Sequence, residues 1–404
     1  MEEVSLEEVF NKVLRKIDRQ RIISLTRELI RIPSNNPPGN ELEVAELLNE
    51  KLKELGFKTK IFEAEKNRPN VIGVLEGSKG SPKLILNGHS DTVPAGEWWE
   101  VDPYGAEIKE GKIFGRGATD MKGGLASIVC AAEAIQQAGV EMEGDLVVAI
   151  TVDEEAGGHK GMAYLMKNKL LNGDMAVVCE PSDFKLVLVE EGVLWLAITT
   201  LGKSVHTIFA EQGVNAVENM AEFIVKLKKL KENFSHLKNE YIGSPIVSVG
   251  TIQGGTKTNI VPDVCKLTLD IRLIPGQETR QITEEIKSIF EELKIENPSF
   301  SANANVILGL ESIESPKDSK IVHLVKKAIR EVLGIKPVFW RNPSLKEDSD
   351  MYWLVKYGGI PSVYFGPGKI EQAHATNEHI SIEGLVKATR VYAHIILNAL
   401  GLKN

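Results

Sequence analysis

The chain has 404 residues, 43% of them hydrophobic and 26% charged, with a formal net charge of −8 at pH 7. These are globular proportions, long enough for two or three domains with a sizeable core. The acidic balance argues against a nucleic-acid or anionic-membrane surface and leaves a small molecule as the default partner. Three cysteines, Cys130, Cys179 and Cys265, lie far apart in apolar stretches with no C-x-x-C pair, so neither a disulfide framework nor a thiolate zinc site is indicated. They read as buried thiols in a reducing cytoplasm. The N-terminal MEEVSLEEVF is acidic and amphipathic rather than a basic leader, and no apolar run approaches the ~18 residues that span a bilayer. A cytoplasmic location with no membrane partner is the expectation.

Ser5 with Glu8 makes a capping-box pattern ahead of a first helix, and residues 20–30 carry apolar positions at helical spacing. IPSNNPPGN breaks that helix. A third spans 41–55 and stops at Gly56. Strands are expected at 58–63, 70–75 and 83–88, the last apolar enough for a sheet interior. A helix to 137, a strand at 145–152, a short helix at 162–167 and a strand at 175–179 then alternate, the α/β signature. From 192 the order becomes strand 193–201, helix 214–230, strands 246–252 and 264–274, helix 279–293 and strand 299–307. This β-α-β-β-α-β order is the ferredoxin-like arrangement, complete in itself, and it looks inserted. After Ser315-Pro316 a helix to 333, strands at 338–340 and 362–365, and a final helix 382–400 capped by Ser381 resume the first texture. The predicted organisation is a discontinuous α/β domain, 1–191 and 309–404, interrupted by an α+β domain at 192–308.

Residues able to carry chemistry gather at loop junctions. FGRGATDMKGGL, 114–125, holds Asp120 among four glycines that imply tightly folded backbone, where a strand gives way to a buried helix. In open α/β sheets that edge binds ligands; the alternative is a helix N-cap. In LNGHSD, 86–91, strand alternation puts His89 and Asp91 on one side. A histidine held by an acid is the usual metal ligand with its partner, and a solvated turn is the alternative. The strand 145–152 ends in DEEAGGHKG, where three acids in a row must splay into water or meet cations. Glu180 follows the next strand in the same way. Four junctions delivering His, Asp, Glu and Glu, with no thiolate, suit zinc, cobalt or manganese. His374, in AHATNEHI, is a lone histidine in a polar loop, and its nearness to Glu378 adds nothing by itself. GTIQGGTK, 250–257, is a near miss for a phosphate loop, so nucleotide binding is not expected.

LNGHSDTVP, GRGATDMKGG, TVDEEAGG, CEPS, GKSVH, GGTKTNIVPD, DIRLIPG, FGPG and AHATNEHI occur in this order. Over residues 25–397 the chain thereby resembles the co-catalytic dizinc deacylases and peptidases, a family that includes acetylornithine deacetylase, succinyl-diaminopimelate desuccinylase, aminoacylase and carboxypeptidases. The resemblance implies a phosphorylase/hydrolase-like dizinc catalytic domain with an inserted ferredoxin-like α+β lid, and a homodimer formed through that lid. It implies two divalent metal ions, zinc first and cobalt or manganese as alternatives. One would be held by His89, Asp120 and Glu180, the other by Asp120, Glu155 and His374, with Asp120 bridging. Glu154 would be the general base, Asp91 the partner of His89, and the Asp120–Met121 bond cis. Two divalent ions would offset the three carboxylates, and a pair about 3.5–4 Å apart suits amide hydrolysis. In the lid, His206 matches a histidine that reaches the substrate carbonyl from its own or a partner's lid, although Ala210 stands where the family usually has proline. Asn259 and Arg272 resemble residues that contact the substrate carboxylate, with a structural salt bridge as the alternative for Arg272. The expected activity is hydrolysis of an N-acyl amino acid of the acetylornithine deacetylase or desuccinylase type. A metallo-carboxypeptidase or dipeptidase acting on short peptides is the alternative within the class, and a metal-free binding protein using the same cleft is the alternative outside it.

Overall fold

The computed structural model describes residues 5–341 and 349–403. They divide into two compact units, one formed by 5–188, 315–340 and 349–403, the other by 189–314 with 341. The first is built on a six-stranded sheet in the spatial order Lys58–Glu65, Arg68–Leu75, Asp145–Thr151, Lys83–His89, Met175–Val178 and Ser362–Tyr364. Its first two pairings are antiparallel and its last three parallel. Parallel strands are covered on both faces and so read as unbroken apolar runs; every residue of Asp145–Thr151 is buried. Helix Gly123–Gln137 packs with the final helix Ile382–Leu400 and buries twelve of its fifteen residues. Gly124 permits this placement, because a Cβ there would lie 2.5 Å from the carbonyl oxygen of Cys179. The helix therefore begins directly against the strand end that carries Glu180.

The second unit has four antiparallel strands, Gly192–Leu201, Ile246–Gly254, Val264–Leu273 and Ser301–Leu310, in the spatial order second, third, first, fourth. Helices Ala216–His236 and Thr279–Glu296 contribute Phe223, Leu227, Ile286 and Phe290 to a core shared with Leu196, Ile198, Leu267 and Leu269. Strand positions alternate between this core and the outer face, as period two requires. The arrangement is ferredoxin-like. Among the described residues, no helix is long and apolar enough to cross a membrane.

Three local expectations are corrected. The strand expected at 338–340 is a single bridge between Leu186 and Phe339, too short for a ladder. Helix Asp350–Lys356 was not foreseen; five of its seven residues are buried, so it lacks the one-sided period that marks an amphipathic helix. Asp120 does not end a strand of the main sheet. The strand before it, Lys112–Phe114, belongs to a separate three-stranded sheet with Ile108–Lys109 and His379–Ser381. A short apolar strand before a helix looks the same in sequence whether it is central or peripheral.

Ionic contacts also shape this unit. Glu41 precedes helix Leu42–Glu54 without capping it, because its carboxylate turns to Arg68, whose Nε lies 3.0 Å from Oε2. The same guanidinium reaches Asp153 Oδ1 through Nη1 at 2.9 Å, and all three side chains are buried. Removing one partner of a buried charge set leaves the others uncompensated, so Arg68→Met is expected to destabilise the protein by ~3–5 kcal/mol. Losing the half-exposed Lys160–Glu65 pair through Lys160→Ala should leave stability nearly unchanged, since solvent screens an exposed pair. Urea titrations of both variants check the contrast, and equal midpoints would contradict it.

Candidate metal centre

His89 closes the strand Lys83–His89 and is fully buried. Its Nδ1 lies 2.9 Å from the backbone carbonyl of Asp91 and 3.5 Å from that residue's Oδ1. A proton on Nδ1 donated to the carbonyl leaves Nε2 as the liganding atom, a tautomer assigned from these partners. Nε2 lies 3.0 Å from Asp120 Oδ1, 3.4 Å from Glu180 Oε1 and 3.8 Å from Glu154 Oε2. Burial works to discharge the imidazole, but Glu180 and Glu154, with hydrogen bonds to Asp120 and Asp91, raise it well above its ordinary value. Asp91 does more than face His89. Its Oδ1 accepts the Glu154 N–H at 3.2 Å, and its Oδ2 accepts the Glu155 N–H at 3.2 Å and Asn36 Nδ2 at 2.8 Å. One buried residue thus fixes the histidine through its carbonyl and the backbone of both glutamates through its carboxylate.

His374 Nε2 lies 2.9 Å from Glu155 Oε2 and 3.2 Å from Asp120 Oδ2. The two oxygens of Asp120 therefore face different histidines. Burial works to raise the Asp120 carboxyl, but hydrogen bonds from His374 and His89 outweigh it and hold it below the usual range. The bonds to Asp120 and Glu155 raise His374 to about 11. His374 is 40% exposed at its side chain, against 0% for His89, so one position is enclosed and the other open.

In each of the sets His89–Asp120–Glu180 and Asp120–Glu155–His374, one ligand atom per residue lies within 4.8 Å of the others. Glu180 Oε1 is buried without a hydrogen-bond partner; His89 Nε2 is close enough for an ion pair but makes its hydrogen bond to Asp120. An unsatisfied buried acceptor costs ~1–3 kcal/mol, more when charged, and a cation at this place removes the deficit. Two imidazoles and three carboxylates without thiolate are a suitable donor set for divalent zinc, cobalt or manganese. The residues present fit two such ions sharing Asp120. Glu154 belongs to neither set. Burial pushes its carboxyl well above the ordinary range; Glu180, Glu155 and Asp120 add to this while His89 opposes it. The Asp120–Met121 peptide bond is cis.

Asp153, the first of the three consecutive acids, is buried and belongs to neither metal set. Its Oδ1 meets Arg68, and its Oδ2 accepts the Lys160 N–H at 3.0 Å. Its partner lies 85 positions away, beyond any local pattern. Glu378, which spacing left as a bystander, is fully buried. The remaining expected residues lie in the second unit. His206 opens the turn Thr207–Gln212, where its Nδ1 accepts the Ile208 N–H at 3.2 Å, and Thr207 N–H donates to the Asn259 carbonyl at 3.2 Å. Arg272 meets Asp270 with Nε 2.9 Å from Oδ1 and Nη2 3.2 Å from Oδ2. The Nε contact is a close ion pair rather than an aligned hydrogen bond, since that N–H has no acceptor in line.

An α/β unit interrupted by an α+β unit, with two histidine–carboxylate sets sharing one aspartate, defines a metallohydrolase. Residues 85–398 match the model of peptidase family M20/M25/M40, and the chain belongs to that family. It is 30% identical to an acetylornithine deacetylase from Proteus mirabilis, over 93% of this chain and 96% of that protein. It is 29% identical to an N-formyl-4-amino-5-aminomethyl-2-methylpyrimidine deformylase from Bacillus subtilis, over 94% and 95%. Its fold is similar to that of aminopeptidase PepT from Bacillus cereus, with a TM-score of 0.77 and 24% identity over 96% of this chain and 100% of that one. A dinuclear metal-binding peptidase of the M20 family from Bacillus subtilis gives 0.71 and 18%, over 95% and 98%. The chain is an enzyme that hydrolyses amide carbon–nitrogen bonds.

Sharing of Asp120 has a stoichiometric consequence. His374→Ala is expected to lose one of two bound metal ions, and Asp120→Ala both, by elemental analysis after dialysis. Equal losses in the two variants would contradict the shared position.

Proposed function

We propose that the enzyme removes the acyl group of an N-acyl amino acid in the cytoplasm, in the manner of acetylornithine deacetylase or a desuccinylase. It uses two divalent metal ions, zinc first, held by His89, Asp120 and Glu180 and by Asp120, Glu155 and His374. The observation that carries this reading is the place of Glu154. It stands 3.8 Å from His89 Nε2, belongs to neither ligand set, and has its backbone N–H fixed by Asp91. Bound ions supply carbonyl polarisation and lower the pKa of water toward ~7. Glu154 takes the proton of the attacking water on its carboxylate and returns it to the leaving amine nitrogen, a role that requires an acid beside the ions and not bound to them. Burial, with Glu180 and Glu155 beside it, raises the proton affinity of this carboxyl above its ordinary value.

Both relatives named above have acyl-removing names, which favours a deacylase over a peptidase; the solved structures speak to the fold alone. In the same reading the unit around 192–308 is the lid and dimer surface. His206 contacts the acyl carbonyl oxygen, and Asn259 and Arg272 the substrate's carboxylate. A second reading is an N-acyl amine without a carboxylate, favoured by the Arg272–Asp270 ion pair, which already occupies the guanidinium. The deformylase's named substrate is of that kind.

Glu154→Ala is expected to lower kcat by about 10²- to 10⁴-fold while two metal ions remain bound, read by kinetics paired with metal analysis. Loss of an ion in that variant would show Glu154 and Glu155 to have exchanged roles. The substrate class is tested with N-acetyl-, N-succinyl- and N-formyl-amino acids, acyl amines and dipeptides, each with zinc or cobalt supplied. Arg272→Lys should lower kcat/KM on a carboxylate substrate by roughly 10- to 1000-fold, since lysine cannot reproduce the paired contact. Amidating the substrate's carboxylate should then penalise the wild type strongly and the variant hardly at all. Equal discrimination by both would leave Arg272 as the partner of Asp270 and favour the acyl amine.

A further inference from the structure

We propose that Arg116 and Glu378 are a positioning pair that sets the separation of His374 from Asp120, and with it the affinity of the metal position these two residues share with Glu155. The inference rests on reading Asp120, Glu155 and His374 as ligands of one ion.

Glu378 lies four residues after His374 and 258 after Asp120. Its Oε1 accepts the backbone N–H of Thr119 at 2.8 Å and of Asp120 at 3.1 Å. Its Oε2 accepts the Gly117 N–H at 3.1 Å and Arg116 Nη1 at 2.6 Å. Gly117 makes this convergence possible, because its φ of +81° turns the chain so that nearby N–H groups point to one anion. Arg116 completes the link. Its Nη2 lies 3.3 Å from the His374 carbonyl oxygen and 3.3 Å from that of Ala95, and its guanidinium sits 5.3 Å from the centre of the Trp99 ring. Both charged groups are buried, at 3% and 0% exposure.

The pair therefore holds the backbone of Asp120 through Glu378 and that of His374 through Arg116, and touches no reacting atom. His374 needs such a hold. It is half-exposed, has a φ of +60°, and sits in a loop outside the strands. His89 and Glu180 sit at the ends of main-sheet strands, and none of the pair's hydrogen bonds described above goes to them. Damage to the pair should fall first on the His374 position. Glutamine at 378 keeps the volume but must turn an NH₂ toward existing donors. Lysine at 116 keeps the charge but lacks the fork that meets a carboxylate and a carbonyl together.

The test is cobalt titration of the metal-depleted full chain, followed by visible absorption and calorimetry, for wild type, His374→Ala, E378Q and R116K. The wild type should take up two ions, and His374→Ala marks which binding step belongs to that residue. E378Q is expected to weaken that step by ~10- to 100-fold, the usual cost of losing a partner of a metal ligand, with an altered cobalt band for that ion alone. The step assigned to His89, which shares with the pair only the backbone hold on Asp120, should weaken by less. Excess cobalt should restore much of kcat in E378Q with KM unchanged. If E378Q does not fold, R116K carries the same comparison. Unchanged affinities, or both steps weakened alike, would overturn the proposal and reduce the pair to a structural salt bridge. A wild type that binds one ion would overturn the shared-ligand reading itself, and the proposal with it.

Discussion

Carboxylates crowded out of water are the constraint on which the rest of the first unit depends. Asp91, Asp120 and Glu180 are buried, with Glu154 and Glu155 between them, and like charges at these separations cannot all be ionised without compensation. The fold meets the demand in three ways. Backbone N–H groups converge on Asp91 and Glu378, guanidinium groups are buried beside Asp153 and Glu378, and two imidazoles face the oxygens of Asp120. Glu180 Oε1 is nevertheless buried without a hydrogen-bond partner, and a cation beside it would supply the missing charge. The groups that hold the acids in place also bring the ligand atoms of each set within 4.8 Å of one another.

Parallel strands explain how residues from distant parts of the chain meet. Strands Lys83–His89, Asp145–Thr151 and Met175–Val178 run side by side, so His89, the acids after Thr151 and Glu180 emerge at one edge. Open α/β sheets place their ligands there. That part of the site was legible, because each acid or histidine follows an apolar run of strand length. The ferredoxin-like unit was legible for a similar reason: its two helices carry one-sided apolar stripes and its strands alternate. His374 was found through motif resemblance alone, since nothing in its polar neighbourhood distinguishes it.

What could not be read is non-local or too short to have a period. Arg68 and Asp153 are buried against each other across 85 positions, and Arg116 and Glu378 across 262. A buried ion pair has no signature until both partners are placed, so three adjacent acids looked alike although one is structural. Asp120 was located correctly as a loop residue ahead of a helix but attached to the wrong kind of strand. Lys112–Phe114 pairs with His379–Ser381, which brings the turn holding Asp120 beside the loop holding His374. That small sheet, invisible as a pattern, is what joins the two halves of the second ligand set.

In the proposed reading Asp120 is shared by two ions, one enclosed beside His89 and one open beside His374. The most direct measurement is the metal–metal separation in protein loaded with two equivalents of zinc or cobalt, by anomalous diffraction or X-ray absorption. Two ions about 3.5–4 Å apart, close enough for Asp120 to ligate both, are expected. A single ion, or two ions too far apart for one carboxylate to bridge, would contradict this reading.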